Sequence, residues 1–276
     1  MATSSPLGLI GGTGFERAFA AAGERVEVAT PYGRATIWRA RLGDQAVRFW
    51  SRHGEAHAVP PHRIPWRAGL WALRMEGVRR ALATSAVGSL VPERLGPGAL
   101  AQVVDAIDMT RGGRPQTFFD GPPLPVVHLD ASRLYCPDLG RRLDGAAAAE
   151  GLGNLGQAVM VVTDGPRLET PAEIRAYARL GAEVVGMTGL PEAALARELG
   201  IAYAALAVVT NAAAGLGGAT IDGAAIDRLA RANQERVRCL FERVAAALGD
   251  AGERCSCCPA PSGAPPFPWT IGGGEP

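Results

Sequence analysis

Six short stretches place polar groups directly after apolar runs. Gly11-Gly12-Thr13-Gly14, Ser51-Arg52-His53-Gly54, Thr84-Ser85-Ala86-Val87-Gly88 and Gly186-Met187-Thr188-Gly189 combine backbone N–H groups with a hydroxyl or a cation. An oxyanion needs those groups, and together they could wrap one phosphate. Two more, Thr163 to Thr170 and Thr210 to Ala214, add Glu169 and Asn211. Read one at a time, each has a plain explanation. Gly-Gly-Thr-Gly is a strand-to-helix turn. A dinucleotide fingerprint would want a third glycine where Arg17 stands and an acidic residue roughly 20 positions on. Arg52-His53 is a surface pair, Ser85 and Thr188 are strand-end hydroxyls, Glu169-Thr170 starts a helix and Asn211 makes a turn. Only their joint placement argues for one site.

The elements that must position them are legible as alternation. Leu7 to Ile10 is a buried first strand emptying into a glycine turn, and further strands are expected at Ala46 to Trp50, Ala81 to Ser85, Gln157 to Thr163, Glu183 to Met187 and Tyr203 to Thr210. Helices are expected at Tyr177 to Gly181, Glu192 to Leu199 and Ile226 to Ala247. Apolar strands alternating with amphipathic helices indicate an α/β sheet covered on both faces, with polar residues at strand exits as the first place to look for a ligand. One folded domain over residues 1–248 is expected, followed by a tail over 249–276 whose proline, glycine, serine and cysteine content reads as disordered.

Among 276 residues, 28 basic and 27 acidic side chains nearly cancel. No general field therefore attracts nucleic acid or an anionic membrane, and a small-molecule partner fits better. No stretch approaches the roughly 20 apolar residues that span a bilayer and the start lacks a signal-peptide pattern, so a cytoplasmic protein is expected. Cys136 and Cys239 lie alone, whereas Cys255, Cys257 and Cys258 crowd near the end. This odd, lopsided set argues against a secreted disulfide framework, and the terminal three read as exposed thiols.

Taken together the stretches resemble the trimeric purine nucleoside phosphorylase and 5′-methylthioadenosine phosphorylase family, from about Leu7 to Val244. The strings Ile10-Gly-Gly-Thr-Gly14, Arg52-His-Gly54, Gly165-Pro-Arg-Leu-Glu-Thr170 and Gly186-Met-Thr-Gly-Leu-Pro-Glu192 carry the resemblance. It implies a single α/β domain with a mixed, partly closed central sheet flanked by helices, assembly as a homotrimer, inorganic phosphate as co-substrate, and no metal or organic cofactor. It implies that Thr13, Arg52, His53, Ser85 and Thr188 form the phosphate shell, with the Ala86 N–H as a further donor. Met187 lies beneath the ribose, Glu169 and Asn211 read the base, and Leu168 and Ala213 line the substrate pocket. As a phosphate ligand, Arg52 offers a bidentate fork, and its loss would leave stability almost unchanged. Pro65 and Trp66 depart from the asparagine and tyrosine that relatives often show, which puts the loop beside the phosphate in question.

The adenosine branch carries aspartates where this chain has Asn211 and Ala213, and a small residue where it has Glu169. An asparagine amide donates to O6 or N7 of a 6-oxopurine, and Glu169 accepts the N1–H that only a 6-oxopurine carries. The resemblance is closest to the S-methyl-5′-thioinosine phosphorylase branch. Gln234 stands where inosine enzymes have a histidine for the 5′-hydroxyl, and His128 resembles the histidine that methylthio-specific members lend to a neighbour's 5′ pocket. A general inosine and guanosine phosphorylase and a methylthioadenosine phosphorylase are the alternatives. Two further rivals are a nucleoside hydrolase or dinucleotide-dependent protein, and a nucleoside-binding regulator without turnover. A glycosidase would need two flanking carboxylates, and only Glu169 is offered.

Overall fold

The computed structural model describes residues 5–12, 23–55, 58–111, 113–153, 155–218, 221–248 and 255–269. Nine strands form one sheet: β1 (Leu7–Gly11), β2 (Glu24–Thr30), β3 (Gly33–Leu42), β4 (Gln45–Ser51), β5 (Arg80–Ser89), β6 (Leu100–Asp108), β7 (Gly156–Val162), β8 (Val184–Gly186) and β9 (Ala202–Ala212). Their order is β2-β3-β4-β1-β5-β8-β7-β6-β9, and a further pairing of β5 with β9 closes the last five into a ring. This is the mixed, partly closed α/β sheet that the resemblance implied.

Period-two alternation sends successive side chains to opposite faces. Ile10, Ile37, Trp50 and Tyr203 join one core; Leu9, Trp38, Phe49 and Ala204 join the other. The first face is covered by α1 (Trp66–Met75) and α4 (Gly189–Glu198, with Leu190 extended), the second by α2 (Pro137–Ala149) and α6 (Gln234–Ala247). The helices α3 (Pro171–Arg179) and α5 (Gly223–Ala232) are the others among the described residues. The expected single helix over Ile226 to Ala247 is two, meeting at Asn233.

The departure at Pro65 and Trp66 resolves as packing. Trp66 is buried at the start of α1, edge-on to Trp50 with 6.2 Å between ring centroids. The Trp50 indole crosses the helix at Gly69, where a Cβ would lie 2.1 Å from it, so only glycine fits.

The expectation of a disordered tail is corrected for residues 255–269. Trp269 is 5% exposed and packs against Trp71, Phe118, Phe119 and Phe267, and Arg197 donates to the Pro259 carbonyl. Composition misled because the segment folds onto the body rather than on itself. No described helix is long and apolar enough to cross a membrane.

Candidate active site

The parallel strands β1, β4, β5 and β9 point their carboxyl ends the same way. Between β1, which pairs β5 as far as Ala83, and β8, which joins it at Gly88, the backbone edge of Thr84 to Val87 has no strand beside it among the described residues. This notch opens into a cavity of about 200 Å³. Thr84 turns its carbonyl into the notch, where Arg52 Nη1 donates to it at 2.7 Å. Backbone groups two residues apart on a strand face the same edge, so the Ala86 N–H faces the notch as well.

β8 runs antiparallel to β5, so the chain leaving it doubles back along β5 and brings Thr188 to Ser85. Their hydroxyls are 3.0 Å apart. Thr188 occupies the N-cap position of α4 without capping it, which keeps its hydroxyl for the cavity. His53 donates from Nδ1 to the Val59 carbonyl at 2.8 Å; this sets the ring orientation. A Cβ at Gly12 would stand 3.2 Å from that ring and 3.5 Å from Arg52 Nη1, so Gly12 lies directly over both. Thr13 lies outside the described residues.

Arg52 departs from expectation. Its bidentate edge is on Glu192, with Nε and Nη2 each 2.8 Å from a carboxylate oxygen, and both side chains are essentially fully buried. The Tyr203 hydroxyl donates to the same carboxylate at 2.6 Å. Burial opposes the Arg52 charge, but the Glu192 carboxylate outweighs it and holds the guanidinium above its usual range. Burial and Glu192 push the Tyr203 phenol well up, so it stays a donor. The expected fork on phosphate is therefore corrected: Arg52 lines the cavity with its planar edge already committed, and presents its remaining Nη N–H groups. Glu192 was missed as a functional residue. The signal was there, since a lone carboxylate in the apolar run Leu190 to Ala196 must be paired if buried.

Glu169 and Asn211 enter the same cavity from β7 and β9. The Thr163 hydroxyl donates to Glu169 Oε1 at 2.6 Å, leaving Oε2 for a ligand. The β5–β9 register slips by one residue after Val87, so that Gly88 pairs with Asn211. This bulge re-aims the strand end. Asn211 Nδ2 donates to the Ala212 carbonyl at 2.8 Å and Oδ1 accepts from Thr210. A flipped amide would set two oxygens against each other at Ala212, so the orientation is determined and a second N–H remains. Met187, Leu168, Ala213 and Gln234 also line the cavity, together with the apolar Ile221, Ile226, Ala230 and Val237. The exposed His128 does not line it.

Two supports hold these loops. Gly165 has φ +62°, and a Cβ there would be 2.3 Å from Met187 Sδ, so both its conformation and its neighbour require glycine. Arg114, also missed, donates to four carbonyls: Met187 and Leu190 on the chain leaving β8, Thr163 and Asp164 on the chain leaving β7. Burial pulls its pKa down. Nothing in Arg111-Gly-Gly-Arg114 marked it out. Among the described residues, the one group with metal-ligand arrangement is Cys136, Cys255, Cys257 and Cys258, and none of these lines the cavity.

The model of the Phosphorylase superfamily matches residues 6–246. A probable S-methyl-5′-thioinosine phosphorylase of Methanopyrus kandleri is 48% identical over 210 residues, 76% of this chain and 80% of that protein. A 6-oxopurine nucleoside phosphorylase of Pyrococcus furiosus is 43% identical over 264 residues, 94% of this chain and 98% of that one. Among solved structures, a methylthioadenosine phosphorylase of Schistosoma mansoni in complex with adenine superposes with a TM-score of 0.82 at 29% identity, covering 89% of this chain and 92% of the other.

Proposed function

The chain belongs to the phosphorylase superfamily, and from that premise we propose that it cleaves 6-oxopurine nucleosides with inorganic phosphate, preferring S-methyl-5′-thioinosine and yielding hypoxanthine and 5-methylthioribose 1-phosphate. The observation that carries this reading is the convergence of the Ser85 and Thr188 hydroxyls, Glu169 and Asn211 on one cavity.

Phosphate is a weak nucleophile toward an anomeric carbon, so catalysis rests on holding it in line behind C1′ while the ribose gains oxocarbenium character. Ser85, Thr188, His53, the Ala86 N–H and the remaining Arg52 N–H groups supply its contacts, with Thr13 completing the shell. As the C1′–N9 bond breaks, its electron pair moves onto the purine. The second Nδ2–H of Asn211 donates to N7 or O6 and stabilises that charge, and Glu169 accepts the N1–H. Met187 packs beneath the ribose.

At the 5′ end, Gln234 lines the cavity together with Ile221, Ile226, Ala230 and Val237. Such a surface favours burial of a methylthio group, at roughly 25 cal/mol per Å², over a hydroxyl that needs a partner. His128, exposed on its own protomer, completes a neighbour's 5′ pocket in a homotrimer. We place the reaction in cytoplasmic purine salvage, with no cofactor beyond phosphate in the chemical step.

The test is to incubate the purified protein with methylthioinosine, inosine, guanosine, adenosine and methylthioadenosine, with and without phosphate, and measure free base. The expected result is phosphate-dependent hypoxanthine release, with kcat/KM at least about tenfold higher for methylthioinosine than for inosine, a margin of about 1.4 kcal/mol. Equal efficiencies would refute the methylthio preference, faster use of methylthioadenosine would refute the base assignment, and base release without phosphate would indicate a hydrolase.

A further inference from the structure

We propose that Cys136, Cys255, Cys257 and Cys258 form a tetrathiolate site for one structural zinc ion, which staples the C-terminal segment to the body of the enzyme. The four cysteines come from two places far apart in the chain, yet their sulfurs all lie within 4.8 Å of one another. Cys136 Sγ is 3.6 Å from Cys255 Sγ and 3.5 Å from Cys257 Sγ, and Cys257 Sγ is 3.8 Å from Cys258 Sγ. A tetrahedral site with Zn–S bonds of about 2.3 Å has sulfur-to-sulfur edges of about 3.8 Å. The arrangement is that of four ligands around a common centre, whereas a disulfide would join two sulfurs and leave two thiols packed beside it.

The surroundings suit thiolates. Cys136 is the N-cap of α2, and its sulfur accepts the Leu139 N–H at 3.5 Å. This N–H of a helix N-terminus thus faces the cluster, where the helix dipole favours negative charge. As thiolates, four sulfurs within 4.8 Å of one another repel, so the charged cluster is unfavourable without a cation. A dication reverses that balance. Four soft sulfurs in a tetrahedron select zinc over the oxygen-seeking cations.

The staple also explains how a proline-rich segment packs in order. It is pinned at one end by its own cysteines against Cys136 and at the other by Trp269 and Phe267 against Trp71. Reading the three terminal cysteines as exposed thiols is thereby corrected, since Cys258 is 4% exposed and Cys255 and Cys257 are half-buried.

The full-length protein, purified without chelator under reducing conditions, is assayed for metal by mass spectrometry and for thermal unfolding. The expected result is about one zinc per chain, a lower Tm after chelation, and zinc loss in Cys257→Ser with retention in Cys239→Ser, whose cysteine lies on α6 outside the cluster. Should Cys257→Ser not fold, cobalt(II) exchange into the wild type keeps the test open: the intense visible bands of tetrahedral thiolate cobalt are expected. Zinc far below stoichiometric together with absence of those bands would overturn the site. So would an intact mass showing disulfides among these cysteines, or iron in place of zinc.

Discussion

Ser85 Oγ and Thr188 Oγ1 meet at 3.0 Å although 103 residues separate them. Neither hydroxyl is needed by its own element, and the two form one polar ledge at the notch in β5. Thr188→Val should lower kcat/KM about tenfold to hundredfold, the worth of one hydrogen bond to a charged group, mainly by raising the phosphate KM. Ser85→Ala should act similarly, and the double variant should fall short of the product of the two, since each reports on the same contact. Steady-state kinetics at varied phosphate check this; an unchanged phosphate KM in both would remove the ledge from the phosphate site.

The pairing of Arg52 with Glu192 reverses the expectation that Arg52 affects activity alone. Removing one partner of a buried ion pair costs about 3–5 kcal/mol, because the other charge is left uncompensated. Arg52→Met and Glu192→Met should each show that loss in urea unfolding, and the double variant should recover most of it. Turnover should not follow: it stays at least about 10²-fold down wherever Arg52 is missing. A double variant no more stable than the singles would contradict the coupling.

In the proposed site, Asn211→Asp replaces an oriented donor with an acceptor. Turnover of inosine-type nucleosides should drop, and the ratio of adenosine-type to inosine-type activity should rise. The ratio is the readout, because repulsion from the Ala212 carbonyl also lowers overall activity. A ratio equal to that of the wild type would show that Asn211 does not touch the base.

Glu173 closes a capping box with Thr170 at the start of α3 and pairs with Arg167, which fixes the loop carrying Glu169. The Arg167 guanidinium and the Thr170 N–H hold its carboxyl down at about 2. A depressed folded-state pKa means stability that is present above the unfolded value, near 4.5, and lost as pH falls through about 2. Glu173→Gln should therefore lower Tm at neutral pH, and the difference from wild type should vanish as the pH is taken down toward 2. A difference that persists there would assign the effect to packing.

The strands at Leu7, Ala46, Ala81, Gln157, Glu183 and Tyr203 were legible because central strands buried on both faces are almost wholly apolar. The edge hairpin of β2 and β3 was not. Glu24, Arg25, Glu27, Arg34 and Arg39 mix charge into it, and its burial comes mainly through Ile37 and Trp38. In the site, the hydroxyls and amides were recognisable by type and strand-exit position. Arg114 was not, since its role depends on partners up to 76 residues away, and the sequence around Glu192 showed that it needs a partner but not that the partner is Arg52, 140 residues off. The cysteine cluster failed for the same reason: Cys136 and Cys255 become neighbours only once the tail has folded back.

The parallel register of β5 and β9 acts as a ruler. Ser85 sits opposite Ala207 and Gly88 opposite Asn211, so the Ser85 hydroxyl and the Asn211 amide are offset by three residues along two hydrogen-bonded strands, about 10 Å at about 3.3 Å each. A purine nucleoside with its phosphate spans both marks. On the proposed site assignment, a pyrimidine nucleoside held by the same phosphate contacts would end one ring short of Asn211, so selectivity for the larger base would follow from strand register.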